Sequence, residues 1–126
     1  MTILETHKVD FKILDRADVK TTKYTKGETV IEKGSPAKDM FLVRAGRVAI
    51  QVGGQTVEEV EAGGIFGEMA LIDHAPRSAS AVAAEDCELI PIDERLFVIL
   101  VQDAPYFALD VMRVLAERLR KMNQRL

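Results

Sequence analysis

The sequence predicts a mainly β domain, an antiparallel jelly-roll or β-roll barrel followed by two C-terminal α-helices. Three observations carry that expectation. Between Val19 and Ile92 short β-prone runs are separated by glycine, the cadence of all-β structure. Within RVAIQV, Val48, Ile50 and Val52 alternate with Arg47, Ala49 and Gln51, as in a strand with one buried face. After Ile92 the apolar residues recur at spacings of three and four instead, which is helical.

The candidate strands, in chain order, are VKTTKY, ETVIEKG, DMFLVRAG, RVAIQVGG, TVEEVEAGG, SASAVA and CELIPI. Gly53-Gly54 supplies a tight hairpin turn, and Gly34, Gly46 and Gly63-Gly64 mark further reversals. Pro91 cannot donate a ladder hydrogen bond, so its strand lies at an edge or ends there. Asp93 is the expected N-cap of ERLFVILVQ, and Asp103 that of a second helix beginning APYFALDVM, with Pro105 in its first turn. Residues 1–126 are read as a single domain, with a roll over about 19–92 and helices over 93–126.

The last helix carries two apolar stripes. Phe107, Val111 and Val114 form one, and Ala108, Met112, Leu115, Leu119, Met122 and Leu126 the other. One stripe packs on the roll, and the second has the seam of a coiled coil in which a second copy fits. A homodimer through this helix is the favoured reading; the alternative is that both stripes are core. Arg118, Arg120, Lys121 and Arg125 near its end are read as a solvated face that complements the helix C-terminus.

Composition narrows the function classes. The chain has 126 residues, 48% hydrophobic and 29% charged, which suits one core. Its formal net charge of −3 argues against a surface for DNA or an acidic membrane. The single cysteine, Cys87, cannot form an internal disulfide and fits a reducing compartment. The longest apolar run, LFVILV at Leu96–Val101, falls far short of the ~20 residues of a membrane span. A cytoplasmic protein without a membrane anchor is expected.

The informative stretch is GEMALIDHAPRSASA, Gly67–Ala81. Gly67 permits an unusual backbone angle or a close ligand approach, and EMALI is a short helix-prone piece whose amides can cradle an anion. Arg77 follows Pro76 and offers a planar fork suited to phosphate oxygens. Glu68 would repel a phosphate unless it has a separate task. An ionised carboxylate only accepts hydrogen bonds, so it selects a ligand hydroxyl such as a ribose 2′-OH. A lone arginine balances a phosphate monoanion better than the several charges of ATP. A 3′,5′-cyclic nucleotide meets these requirements.

FGEMALIDHAPRSASA, residues 66–81, resembles the phosphate-binding cassette of cyclic-nucleotide-binding domains. KGETVIEKGSPAKDMFLVRAGRVAI is similar to the early strands of that family, and CELIPI with the segments after it to its last strand and closing helices. The resemblance implies that Glu68 binds the ribose 2′-OH and Arg77 the cyclic phosphate. It also implies that Gly67, Met69, Ala70 and Ala79 line the sugar-phosphate and that Ser78 offers a hydroxyl to a phosphate oxygen. A serine after the arginine favours cAMP over cGMP in the family. Base contacts late in the long helix would fall near Met122 and Asn123; Met122 departs from the polar pattern, leaving Asn123 as the candidate.

The resulting expectation is a non-catalytic sensor that binds a cyclic nucleotide and shifts its C-terminal helices, with no cofactor beyond that ligand. Alternatives are the sensor half of a regulator resembling the catabolite activator protein, cut before its helix-turn-helix, or a degenerate domain that serves protein interaction without ligand. In the degenerate case Glu68 and Arg77 would simply pair with each other. A cupin-type metal enzyme needs more histidines than His7 and His74. Asp73, His74 and Ser78 or Ser80 crowd one loop without the setting of a nucleophile elbow, so no catalytic or metal residue is expected.

Overall fold

A computed structural model of the chain describes residues 19–124. The readings that involve His7, Arg125 and Leu126 lie outside the described residues. Within them the strands are β1 (Thr22–Tyr24), β2 (Thr29–Ile31), β3 (Met40–Ala45), β4 (Arg47–Val52), β5 (Gln55–Glu61), β6 (Ile65–Phe66), β7 (Ser80–Ala83) and β8 (Cys87–Ile92). The helices are α1 (Met69–Asp73), α2 (Glu94–Asp103) and α3 (Tyr106–Gln124). The strands form two four-stranded antiparallel sheets, ordered β1-β8-β3-β6 and β2-β7-β4-β5. This is the expected β-roll with closing helices, although the two sheets do not close into one barrel.

The alternation of side chains explains how the layers stack. On the first sheet Met40, Leu42, Ile65, Ile90 and Ile92 face Leu100, Phe107, Val111 and Val114 of the helices. The intervening Val43, Phe66, Cys87 and Leu89 face the second sheet, where Ile31, Val48, Val60, Ala81 and Ala83 complete an inner core. A strand covered on both sides has little need of polar residues, hence CELIPI. The buried Cys87 is a small core residue, and desolvation pushes its thiol pKa up, so it is a poor nucleophile.

The turn chemistry behaves as read. Gly53 and Gly54 have φ of +60° and +79° and join β4 to β5 with Val52 opposite Gln55, as a primed hairpin turn requires. Pro91 lies one residue from the end of β8. That strand is interior in its sheet, but β1 pairs with it only as far as Leu89, so at Pro91 it has a neighbour on one side only. Asp93 caps α2, accepting from the Leu96 N–H at 2.8 Å. Asp103 does not cap α3: it is the last residue of α2, and the first turn of α3 closes instead on the Ala104 carbonyl, which accepts from the Phe107 N–H at 2.9 Å.

The two stripes of α3 separate as the periodicity requires. Phe107, Val111 and Val114 are buried against the first sheet, and Leu115 is partly buried there. Met112, Leu119 and Met122 are exposed. Among the described residues no helix is long and apolar enough to cross a membrane.

Candidate functional site

The cassette hangs from β6, a two-residue strand that the sequence does not announce. Ile65 and Phe66 pair with Leu42 and Phe41 of β3, and the Phe66 and Phe41 rings stack with centroids 5.2 Å apart. The chain then turns at Gly67, whose φ of +73° lies in the left-handed region that favours glycine. Glu68 follows as the N-cap of α1, with its side chain buried. The helix ends at His74, an exposed residue in the left-handed region, and a segment without regular structure carries Pro76 and Arg77 back to β7.

Arg77 is fixed at both ends. Its N–H donates to Ser35 at 3.0 Å, and its carbonyl accepts from the Gly34 N–H at 2.8 Å. Its Nη1 donates to the Gly67 carbonyl at 3.0 Å and its Nη2 to the Asp39 carbonyl, with the guanidinium 6.0 Å from the Phe41 ring centroid. Burial lowers its pKa, while Asp39 and Glu68 work in the other direction. Arginine remains a cation through such shifts, and two of its five N–H donors serve these carbonyls. The remaining donors suit an anion with several oxygens.

Glu68 does not pair with Arg77. Its Oε1 accepts from Nη1 of Arg118 at 2.5 Å, a residue 50 positions away on α3. Arg118 also lies against both oxygens of Glu58 in β5, with Nε 3.2 Å from each and Nη2 2.7 Å from Oε2. Its Nη2 donates in addition to the Ile65 carbonyl. Desolvation would lower the Arg118 pKa, but the two carboxylates more than offset it and the net direction is up. The solvated-face reading of Arg118 is therefore corrected, because this residue turns inward. The spacing Phe107, Val111, Val114, Arg118 continues the buried stripe by one turn and was the available signal. Glu58 had a weaker one, since it sits two residues from the buried Val60 and so on the same face of its strand.

The other residues expected at the site are close in the chain but differ in setting. Gly67, Glu68, Met69 and Ala70 lie together at the start of α1, with Ala70 buried and Met69 exposed. Ser78 is exposed beside Arg77, and Ala79 is half-buried. Asn123 is exposed near the end of α3, and among the described residues nothing joins it to the cassette. Asp73 accepts from the Ala75 N–H at 3.0 Å, so its carboxylate organises the loop. Among the described residues no group of three or more His, Cys, Asp or Glu is arranged for a metal. A surface cleft lined by Gly46, Arg47, Glu61, Ala62 and Glu85 lies at the far end of β3 from Asp39 and contributes nothing to this site.

Gly67→Ala tests the cassette geometry. A Cβ there would stand 2.7 Å from Arg77 Nη1, and the left-handed backbone adds a cost of about 1 kcal/mol. The guanidinium is expected to be displaced, seen as a moved Arg77 Nε–H resonance with a modest loss of stability. An unmoved resonance would contradict the contact.

An open β-roll thus holds an inward acid and a separate guanidinium on one connecting cassette, a donor and acceptor set that suits a small anion. Residues 21–104 match the family model of the cyclic nucleotide-binding domain, and the chain belongs to that family. It is 35% identical over 105 residues to a cyclic AMP receptor protein of Thermus thermophilus, covering 79% of this chain and 49% of the relative. It is also 35% identical over 88 residues to a cAMP-dependent protein kinase regulatory subunit of Colletotrichum orbiculare, covering 68% and 22%. The crystal structure of Thermus thermophilus catabolite activator protein superposes with a TM-score of 0.79 at 31% identity, covering 94% of this chain and 59% of that one. The chain thus spans about half, or less, of the length of these curated relatives.

Proposed function

We propose that this domain binds a 3′,5′-cyclic nucleotide, cAMP in preference to cGMP, as a non-catalytic sensor. The observation that carries the reading is that Glu68 and Arg77 are both held inward yet not spent on each other. An ion pair between them would have left a closed turn. Held apart, the guanidinium can take the cyclic phosphate and the carboxylate the ribose 2′-OH, with Gly67, Met69, Ala70, Ser78 and Ala79 around the sugar-phosphate. Arg118 is answered by Glu58 and Glu68, so the cation left to meet a phosphate is Arg77, whose charge Asp39 and Glu68 favour from nearby. Similarity to a cyclic AMP receptor protein and to a cAMP-dependent protein kinase regulatory subunit supports cAMP as the ligand.

Calorimetric titration of the chain with cAMP and with cGMP is the deciding experiment. Saturable binding of cAMP, weaker for cGMP, is the expected result. No heat from either nucleotide at millimolar concentration, with the far-ultraviolet dichroism of the folded chain retained, would overturn the reading and favour the degenerate domain.

Signalling follows from Arg118, which ties α3 to the acid that would meet the ligand. A ligand moves that helix only through its different affinity for two arrangements, so chemical shifts over residues 111–124 on adding cAMP are the readout. Shifts confined to the cassette would argue against switching. The exposed Met112, Leu119 and Met122 support a homodimer through α3, measurable by sedimentation equilibrium. A cytoplasmic setting and an effector beyond this domain complete the proposal, and no nucleic-acid contact is assigned to this chain alone.

A further inference from the structure

We propose that Glu58 is a positioning residue for ligand selection: it holds Arg118 so that Arg118 engages one oxygen of Glu68 and leaves the other for the hydroxyl of the ligand. The inference rests on the reading of Glu68 as the acid that meets the ribose 2′-OH.

Glu58 lies on β5, an edge strand of the second sheet, on the face that also carries the buried Val60. Next to it the ladder is irregular. Ile50 pairs with Glu58 but Gln51 pairs with Thr56, so Val57 is the extra residue of a bulge, a device that re-aims neighbouring side chains. The Glu58 side chain is only 18% exposed. An inward acid on an edge strand can serve merely to deter edge-to-edge pairing. That role needs no partner of defined geometry, and Glu58 has one.

The donor geometry of Arg118 carries the argument. A guanidinium presents five N–H groups in a planar fork, and its side edge, Nε with one terminal nitrogen, matches a carboxylate. Glu58 occupies that edge, with contacts of 3.2, 3.2 and 2.7 Å. The second N–H of Nη2 goes to the Ile65 carbonyl, which also breaks up the end-on edge formed by the two terminal nitrogens. Only Nη1 reaches Glu68, and it meets Oε1 alone. The Arg118 contact thus falls on Oε1, and the Glu68 side chain makes no capping hydrogen bond to α1. Without the Glu58 charge the side edge of Arg118 is released, and the buried carboxylate that remains nearby is Glu68. A two-point pairing there would occupy both oxygens and compete with the ligand hydroxyl. Contacts to the phosphate through Arg77 would not be touched.

The test is Glu58→Gln in the full chain, titrated calorimetrically with cAMP and with 2′-deoxy-cAMP. The substitution should weaken cAMP about tenfold, the value of one charge-assisted hydrogen bond, and change 2′-deoxy-cAMP by less than about twofold. The preference for the 2′-hydroxyl therefore collapses. Glu58→Asp, which keeps the charge, should retain most of that preference; if the glutamine variant does not fold, Glu58→Met, which also removes the charge, takes over its measurement. Equal weakening of both nucleotides, or an unchanged ratio, makes Glu58 a structural residue and overturns the inference while leaving the ligand reading intact. Failure of the unsubstituted chain to bind either nucleotide overturns the ligand reading itself and, with it, this role for Glu58.

Discussion

Replacing Arg77 with leucine is expected to lower cAMP affinity by about 3 kcal/mol or more, roughly a hundredfold, while the domain stays folded. The affinity falls because the cyclic phosphate loses its cation and a pair of charge-assisted hydrogen bonds, each of about 1.5–3 kcal/mol. Stability is largely spared because Arg77 is only partly buried. Its two acceptors, the Gly67 and Asp39 carbonyls, can turn to water, and leucine still covers Phe41. Calorimetry with a thermal melt of the same sample separates the two effects. A loss of less than about tenfold would remove Arg77 from the centre of recognition. Arg77→Lys sharpens the result, since it keeps the charge but not the fork and should recover only part of the affinity.

Arg118→Ala should act mainly on stability. Glu68 and Glu58 have side chains only 6% and 18% exposed, and the substitution leaves both facing inward without their cation. Removing one partner of a buried ionic set costs about 3–5 kcal/mol; some water can reach Glu58, so about 3 kcal/mol is expected here. Urea unfolding with an unchanged slope would report it as a lower midpoint. Replacing the whole set together, Glu58→Gln, Glu68→Gln and Arg118→Met, should recover most of the loss, because no uncompensated charge then remains. A cost for Arg118→Ala below about 1 kcal/mol would class the pairing with ordinary surface ion pairs.

The contrast between these arginines shows how the site is distributed between local and distant parts of the chain. The cassette that holds Arg77 is legible in one short run, since Gly67 takes the left-handed angle, α1 begins directly after Glu68 and Arg77 closes the same connection, although Gly34, Ser35, Asp39 and Phe41 reach it from the roll. Arg118 sits in a run of cations at a helix end, where electrostatic complement to the helix terminus is a sufficient local explanation. Its true partners are 50 and 60 positions earlier. Only the docking of α3 on the first sheet brings them together.

The same division holds for the fold. Strand alternation, the Gly53-Gly54 hairpin, the Asp93 cap and the two stripes of α3 could be read from the amino-acid order, because each is settled by interactions within a few residues. So could the family signature of residues 66–81. The β6 strand could not, since two residues carry no periodicity and it exists through pairing with β3. Asp103 misled for a related reason: its side chain suits a cap, but the turn between α2 and α3 falls one residue later, at Ala104. Local sequence therefore determined which pieces form and where the phosphate-type site begins. Tertiary structure alone decided which charges meet, because a buried ion must be answered by whatever the folded chain brings within hydrogen-bonding distance.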